Sequence, residues 1–319
     1  MQQICVFRDI MSKIVIALGG NALMESGDSR DYETQVRRAV NAFESLTDII
    51  VKEDVIITHG NGPQVGDLIL RNQYTKELPP PMPMHTLGAM SQGLIGEILI
   101  EAYENVRSRY GIGKEAINIL TRTIVDKNDR AFMNPTKPVG RVYSDQEYSE
   151  LKNSTDWEFI RTEKGWRRCV PSPMPLDILE KNAILSSLNA GFLPICTGGG
   201  GVPVIKTGNY YSGVNAVIDK DLASYVLAHM LDAEEFVILT DVKNAFIDFG
   251  KSTQKAVNKV KLNEIKKYYD EGQFSTGSMG PKVLAAMSFV EHGGKVARIG
   301  SLKDANNVIE GTSGTIIQA

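Results

Sequence analysis

Lys13-Ile14-Val15-Ile16-Ala17-Leu18-Gly19-Gly20-Asn21 is a short, almost wholly apolar run that ends in a glycine pair. A run of this length, rich in β-branched residues and without polar alternation, reads as a strand buried on both faces. Val55-Ile56-Ile57-Thr58 repeats the pattern and runs into His59-Gly60-Asn61-Gly62-Pro63. Between the two runs, Val36, Val40, Phe43, Leu46 and Ile50 recur at helical spacing. Pro63 suits the first turn of a following helix, where its missing N–H costs nothing. Strand, helix and strand, each strand closed by a glycine turn, describe a βαβ unit and so a parallel sheet.

The same rhythm continues outward. Thr86 to Tyr110 is a long helical stretch and Ile117 to Leu120 a further strand. Phe192 to Cys196 runs into Thr197 and the glycines Gly198 to Gly201, Phe236 to Leu239 runs into Thr240-Asp241, and Lys295 to Ile299 is a late strand. The fold class is therefore α/β, with a mainly parallel sheet and helices on both faces. No internal repeat of solenoid period is present. One segment, Asp126 to Pro175, breaks the rhythm with a proline-studded loop (Asn134-Pro135-Thr136-Lys137-Pro138), a short helix and a hairpin turning near Glu163-Lys164-Gly165, with Trp157 and Trp166 on its arms. It reads as a lid-like excursion, residues 126–175, within a domain spanning 11–319.

Composition bounds the partners. The 319 residues are 42% hydrophobic and 23% charged with a formal net charge of −3, the balance of an ordinary globular protein and a poor one for a nucleic-acid-binding surface. No apolar run approaches the roughly 20 residues of a membrane span. Cys5, Cys169 and Cys196 form neither a disulfide framework nor a CxxC pattern, so a reducing, cytoplasmic setting is expected. Residues 1–10 carry Arg8 and Asp9 and no apolar signal core. Met11 opens directly into the first strand, which makes 1–10 an N-terminal extension or an upstream misread of the start.

In an open parallel sheet, ligands bind outside the carboxyl ends of the strands, where glycine turns admit a ligand to the backbone and helix N-termini offer N–H groups. Three such turns, Gly19-Gly20-Asn21, Gly60-Asn61-Gly62 and Gly198 to Gly201, describe a rim suited to anions. One glycine pair alone is ordinarily only a tight turn. Common nucleotide motifs fail. Ala245 stands where a P-loop ending in Gly250-Lys251-Ser252 needs its first glycine, and Val65 occupies the third glycine position of a dinucleotide fingerprint. The four histidines (His59, His85, His229, His292) lack ligand spacing, and only His59 sits at a strand end on the rim. Lys127, Lys220 and Lys282 remain. A lysine beside aspartates is ordinarily a surface ion pair of little worth. Lys282 resists that reading best, because Gly277-Ser278-Met279-Gly280-Pro281 delivers it to the start of a helix. Met82, Met84 and Met90 read as packing, and Lys164, Arg167 and Arg168 near Trp166 as a solvated hairpin.

These strings, with Ala17 to Ala22, Thr58 to Gly66, Val125 to Asp129, Asn134 to Gly140, Val170 to Pro173, Gly198 to Val204, Ala216 to Ser224 and Gly277 to Lys282, resemble carbamate kinases of the amino-acid-kinase superfamily, in order from about Lys13 to the C-terminus. The resemblance implies a three-layer α/β/α sandwich with a small protruding subdomain, a homodimer, ATP/ADP with Mg2+, carbamate and carbamoyl phosphate as substrates, and a place in arginine metabolism. It also implies roles. Gly19, Gly20, Asn21, Gly60, Asn61, Gly62, Gly199 and Gly200 line carbamate and the moving phosphoryl group. Lys220 and Lys282 hold phosphates, Asp221 orients them, and Lys127 closes from the lid. Thr240, Asp241, Gly277, Met279, Gly280 and Pro281 meet the nucleotide, and no residue is assigned as a metal ligand. Ala17 stands where related kinases carry a lysine, which favours carbamate over acyl-amino-acid acceptors. Arg130, Asn215 and the tail from Leu302 to Asn306 depart from the pattern. The rival readings are another kinase of the superfamily (for acetylglutamate, uridylate or an isoprenoid phosphate) and a non-catalytic nucleotide sensor.

Overall fold

A computed structural model describes residues 11–20, 23–24, 27–74, 79–275 and 277–319. The expectations for residues 1–10 and for Asn21 lie outside these. In chain order, β1 (Lys13–Leu18), α1 (Tyr32–Glu44), α2 (Thr47–Lys52), β2 (Asp54–His59), α3 (Gly62–Tyr74), α4 (Met84–Tyr110) and β3 (Ala116–Asn118) build the first half of the body. β4 (Arg122–Val125) leads out to β5 (Lys137–Tyr143), α5 (Asp145–Ser154), β6 (Glu158–Thr162) and β7 (Gly165–Val170), and β8 (Pro175–Ile178) leads back. α6 (Lys181–Asn189), β9 (Leu193–Cys196), β10 (Val202–Thr207), β11 (Tyr210–Gly213), α7 (Lys220–Met230) and β12 (Glu235–Thr240) follow. β13 (Ala245–Ile247), β14 (Lys255–Val257), β15 (Lys259–Lys261), α8 (Leu262–Asp270), α9 (Met279–Glu291), β16 (Val296–Ser301), α10 (Ala305–Glu310) and β17 (Thr315–Gln318) complete the chain.

The main sheet runs β15-β17-β16-β12-β1-β2-β9-β3, and every pairing in it is parallel except β16 with β17. Side chains alternate across a strand, and β1 uses the alternation to feed two cores. Ile14, Ile16 and Leu18 pack with Phe43 and Tyr103 of α1 and α4, whereas Val15 and Ala17 face Leu227 and Phe289 of α7 and α9. Each such fully buried Leu, Ile or Phe stabilises by about 1.5–3 kcal/mol. This gives the three layers. The helical run expected across Val36 to Ile50 is broken into α1 and α2, because Ser45 Oγ donates to the Asn41 carbonyl and Thr47 Oγ1 to that of Phe43. The strand expected at 117–120 lies at Ala116–Asn118, with Leu120 already exposed.

A second, four-stranded sheet, β11-β10-β4-β8, stands beside the first. Val125 of β4 is paired with Pro175 of β8, so the chain leaves and returns at neighbouring strands. Between them, β5-β7-β6 form an antiparallel three-stranded sheet covered by α5. A reciprocal cap starts α5: Ser144 Oγ accepts from Glu147 N and Glu147 Oε2 from Ser144 N. Val139 and Val170 of this small sheet pack on Val65, Ile69, Met84 and Leu87, the apolar seam joining the subdomain to the body.

Candidate active site

The glycine turns continue the parallel ladder past the strand ends. Gly19 N donates to the Leu239 carbonyl at 2.8 Å and Gly60 N to that of Leu18 at 3.1 Å, which draws the turns after β1 and β2 together. Gly60 lies so close to the neighbouring turn that an added Cβ would stand 3.4 Å from Gly20 N and 3.7 Å from Lys220 Cδ. Gly199 takes the left-handed φ of +61°, and a Cβ there would fall 2.1 Å from the Asn61 amide. Asn61 in turn donates to Ser91 Oγ at 2.8 Å, anchoring the loop on α4. His59, at the end of β2, is buried, and burial pushes its pKa down to about 4, so the ring is neutral. Its Nδ1 lies 3.0 Å from the Gly60 carbonyl, and that contact sets Nδ1 as the protonated nitrogen.

Helix α7 supplies the charges. Asp219 caps it, accepting from Asp221 N at 3.0 Å and Leu222 N at 3.4 Å. Ser224 in its second turn donates to the Lys220 carbonyl and meets Thr58 Oγ1 at 2.6 Å, which locks the helix start onto β2. Asp221 is buried and bridges two lysines: Oδ1 lies 2.6 Å from Lys220 Nζ and Oδ2 3.1 Å from Lys282 Nζ. Burial alone raises the Asp221 pKa, but the charges of Lys220 and Lys282 outweigh it and hold the carboxyl below its ordinary value. Burial pushes Lys220 down, against the pull of Asp221 and with the help of the Lys282 charge. From the subdomain, Lys137 Nζ reaches Asp219 Oδ2 at 2.8 Å.

These groups enclose a cleft of about 310 Å3. Of the residues singled out in the sequence, Gly20, Gly60, Asn61, Gly62, Gly199, Lys220, Asp221, Gly277 and Lys282 line it. Gly19 and Gly200 stand behind the wall, Gly19 against Leu239 and Thr240 and Gly200 against the Ile218 carbonyl. Thr240 donates to Asp241 Oδ1 at 2.9 Å at the end of β12, outside the cleft lining. Met279, Gly280 and Pro281 form the first turn of α9, which carries Lys282.

Lys127 is not brought in. Asp126 Oδ1 accepts from Asn128 N, Asp129 Oδ1 from Ala131 N and Asp129 Oδ2 from Met174 N, and these bonds fold the loop into a turn with Lys127 exposed. The excursion instead sends in Lys137 and Arg167, two residues the sequence reasoning passed over as functional, together with Asp219. Lys137 had a readable signal. It precedes Pro138 closely after Pro135, a setting that holds the backbone extended and presents a long cation from a stiff strand. Arg167 Nη2 donates to the Gly140 carbonyl at 3.1 Å, while its buried Nε has no partner among the described residues. An orphaned guanidinium donor at a cleft wall is suited to an anion. Among the described residues, Lys137, Arg167, Lys220 and Lys282 face Asp219 and Asp221, so the described lining is positive in a chain of net charge −3. Both carboxylates are committed to lysines, and among the described residues no group of three His, Cys, Asp or Glu could hold a metal ion. The donor set fits a divalent cation that is carried mainly by a ligand's own phosphates and water.

Residues 12–301 match the model of the Amino acid kinase family. The chain is 49% identical over 308 residues to the carbamate kinase of Thermoplasma volcanium, covering 96% of this chain and 99% of that one. It is 41% identical over 308 residues to the carbamate kinase of Giardia intestinalis, covering 95% and 97%. The structure of a carbamate kinase from Giardia lamblia bound to AMP-PNP is similar with a TM-score of 0.90 and 41% identity, over 97% of this chain and 98% of that one.

Proposed function

From the premise that the chain belongs to the amino acid kinase family, we propose that it is a carbamate kinase, moving a phosphoryl group reversibly between ATP and carbamate to give ADP and carbamoyl phosphate. The observation that carries this reading is the buried Asp221 carboxylate holding Lys220 and Lys282 side by side beneath the glycine turns. Carbamate is already an anionic oxygen nucleophile, so a proton need not be removed and no general base is required. Its oxygen forms the new bond to the γ-phosphorus as the bond to the β,γ-bridging oxygen breaks, and the electron pair leaves on ADP. Catalysis then rests on in-line positioning and on neutralising charge on the moving phosphoryl and its leaving oxygen.

Each residue has a part in that scheme. Gly20, Gly60, Asn61, Gly62 and Gly199 shape the pocket for carbamate and the transferring group, with Gly19 and Gly200 setting the turns behind them. Lys220 and Lys282 meet phosphate oxygens, and Asp221 keeps their amines in register. Thr240 and Asp241 with the start of α9 lie on the nucleotide side. Lys137 takes the part first read into Lys127, closing from the 126–175 lid with Arg167 beside it. Mg2+, bound with the nucleotide, supplies further charge neutralisation on the phosphates.

The chain acts as a homodimer in this reading. The short edge strand β3 and the exposed Met90, Leu94 and Leu120 offer an apolar edge for it. Among the described residues no helix is long and apolar enough to cross a membrane, and the buried thiols of Cys169 and Cys196 suit a reducing cytoplasm. The deciding experiment is a coupled assay of ADP plus carbamoyl phosphate, with forward reactions on acetylglutamate and UMP as controls. ATP formation from carbamoyl phosphate alone is expected. Nucleotide binding with turnover on none of the three substrates would replace this reading with a sensor.

A further inference from the structure

A second cavity, about 710 Å3 against about 310 Å3 for the cleft, lies where the subdomain meets the body. Its walls are mostly apolar: Ile69 of α3, Met84 and Leu87 of α4, Leu151 of α5, and the rings of Tyr143 and Trp157. Two arginines enter it. Arg141 is satisfied, 2.6 Å from Glu147 and 4.3 Å over the Tyr143 ring. Arg168 is not. Its guanidinium lies 4.0 Å over the Trp157 ring, and it makes no ion pair or hydrogen bond among the described residues. Arg168 is half-buried, and that burial pushes its pKa down. A half-buried guanidinium held against a ring with no ion-pair partner is a ready seat for an anion brought by a ligand.

Strand β7 explains how the cation comes to be there. Consecutive strand residues point to opposite faces, so β7 sends Arg167 into the cleft and Arg168 into the larger cavity. We propose that this cavity is a binding site for a monocarboxylate with an apolar or aromatic body, its carboxylate on Arg168 and its body among Ile69, Leu87 and Leu151. The choice of one carboxylate follows from Glu150, also on the lining, which among the described residues has no cationic partner and receives the Gln146 amide at 3.1 Å. A second carboxylate would be repelled there.

The chain has two tryptophans. A Trp166→Phe background therefore isolates the fluorescence of Trp157, which forms part of the cavity wall. The probe is 4-phenylbutyrate, titrated with saturating AMP-PNP present so that the cleft is occupied; 4-phenylbutyramide and adipate are the controls. A saturable change is expected with 4-phenylbutyrate, at least tenfold weaker for the amide and for adipate. Arg168→Gln should weaken it at least tenfold. Leu151→Trp, read by isothermal calorimetry, should do the same by filling the cavity from its other wall without touching the cation. Loss of the signal when AMP-PNP is added would place the carboxylate in the cleft and overturn the proposal. So would equal binding of the amide, unchanged binding in folded Arg168→Gln and Leu151→Trp proteins, or no saturable response at all.

Discussion

On the body side of the cleft, Lys220 and Lys282 share one buried carboxylate on a helix bolted to the main sheet; on the subdomain side, Lys137 borrows a carboxylate that belongs to the other half. The surroundings differ in the same sense. β1 is buried along nearly its whole length, whereas α5 buries no residue and β6 buries none of its side chains fully. Few buried apolar contacts mean low local stability. The body therefore presents charges already held for phosphate, and the subdomain presents charges whose position depends on how it sits against α3. Preorganised charge should dominate the chemical step, and carried charge should tune it.

The sharpest way to break that contrast is Asp221→Asn. With both lysines left without their buried counter-ion, unfolding in urea should show a loss of about 3–5 kcal/mol, and turnover should vanish with it. An unchanged midpoint would mean that the lysines find anions elsewhere. Next comes Lys282→Ala, which keeps the Lys220–Asp221 pair and should lower kcat by about 10²–10³ by steady-state assay. A rate within twofold of the parent would remove Lys282 from the chemistry. A third test uses His59, whose buried neutral ring has a pKa of about 4. The unfolded chain protonates near pH 6.5 and the folded one only near 4, so the unfolded state binds more protons between them. Stability should be full above pH 6.5 and fall by about 3 kcal/mol as the pH drops to 4. In His59→Gln that part of the pH dependence should disappear from denaturation curves, and its persistence would mean another group carries it.

The smallest effects lie on the subdomain. Lys137→Ala should lower kcat/KM by about 10², the lower end for a single lost donor, with little change in the urea midpoint. Lys127→Ala should leave both measurements within about twofold, the level of an exposed charge. The reverse ranking of these two variants would restore the first reading of the lid.

That last pair marks where sequence reading stops. The glycine turns, Lys220 and Lys282 were legible because each is set by a few adjacent residues at a strand end. Lys127 lies outside the cleft, and the aspartates beside it, which look like charge partners, accept from backbone N–H groups of Asn128, Ala131 and Met174. The hairpin with Trp166 is legible, but the place of Arg167 on the cleft lining is not, because it depends on register. β5 and β7 pair through an irregularity between Val139 and Val142, and a one-residue slip exchanges the faces of Arg167 and Arg168. The four-stranded sheet was equally hidden, since β4 and β8 are four-residue strands that meet across the whole excursion. Helix breaks such as the one at Ser45 turn on a pair of hydroxyls and carry no periodic signal.

The reach of Lys137 to Asp219 ties the net charge of the cleft to the seating of the small sheet. When the two halves are together, four cations oppose two carboxylates among the described residues of the lining. If the small sheet swings away it takes Lys137 and Arg167 with it, and the remaining Lys220 and Lys282 are balanced by Asp219 and Asp221. Such a displacement would switch an anion trap to a neutral surface, so that reactants are gripped during transfer and products are released without any contact on the body side having to break first.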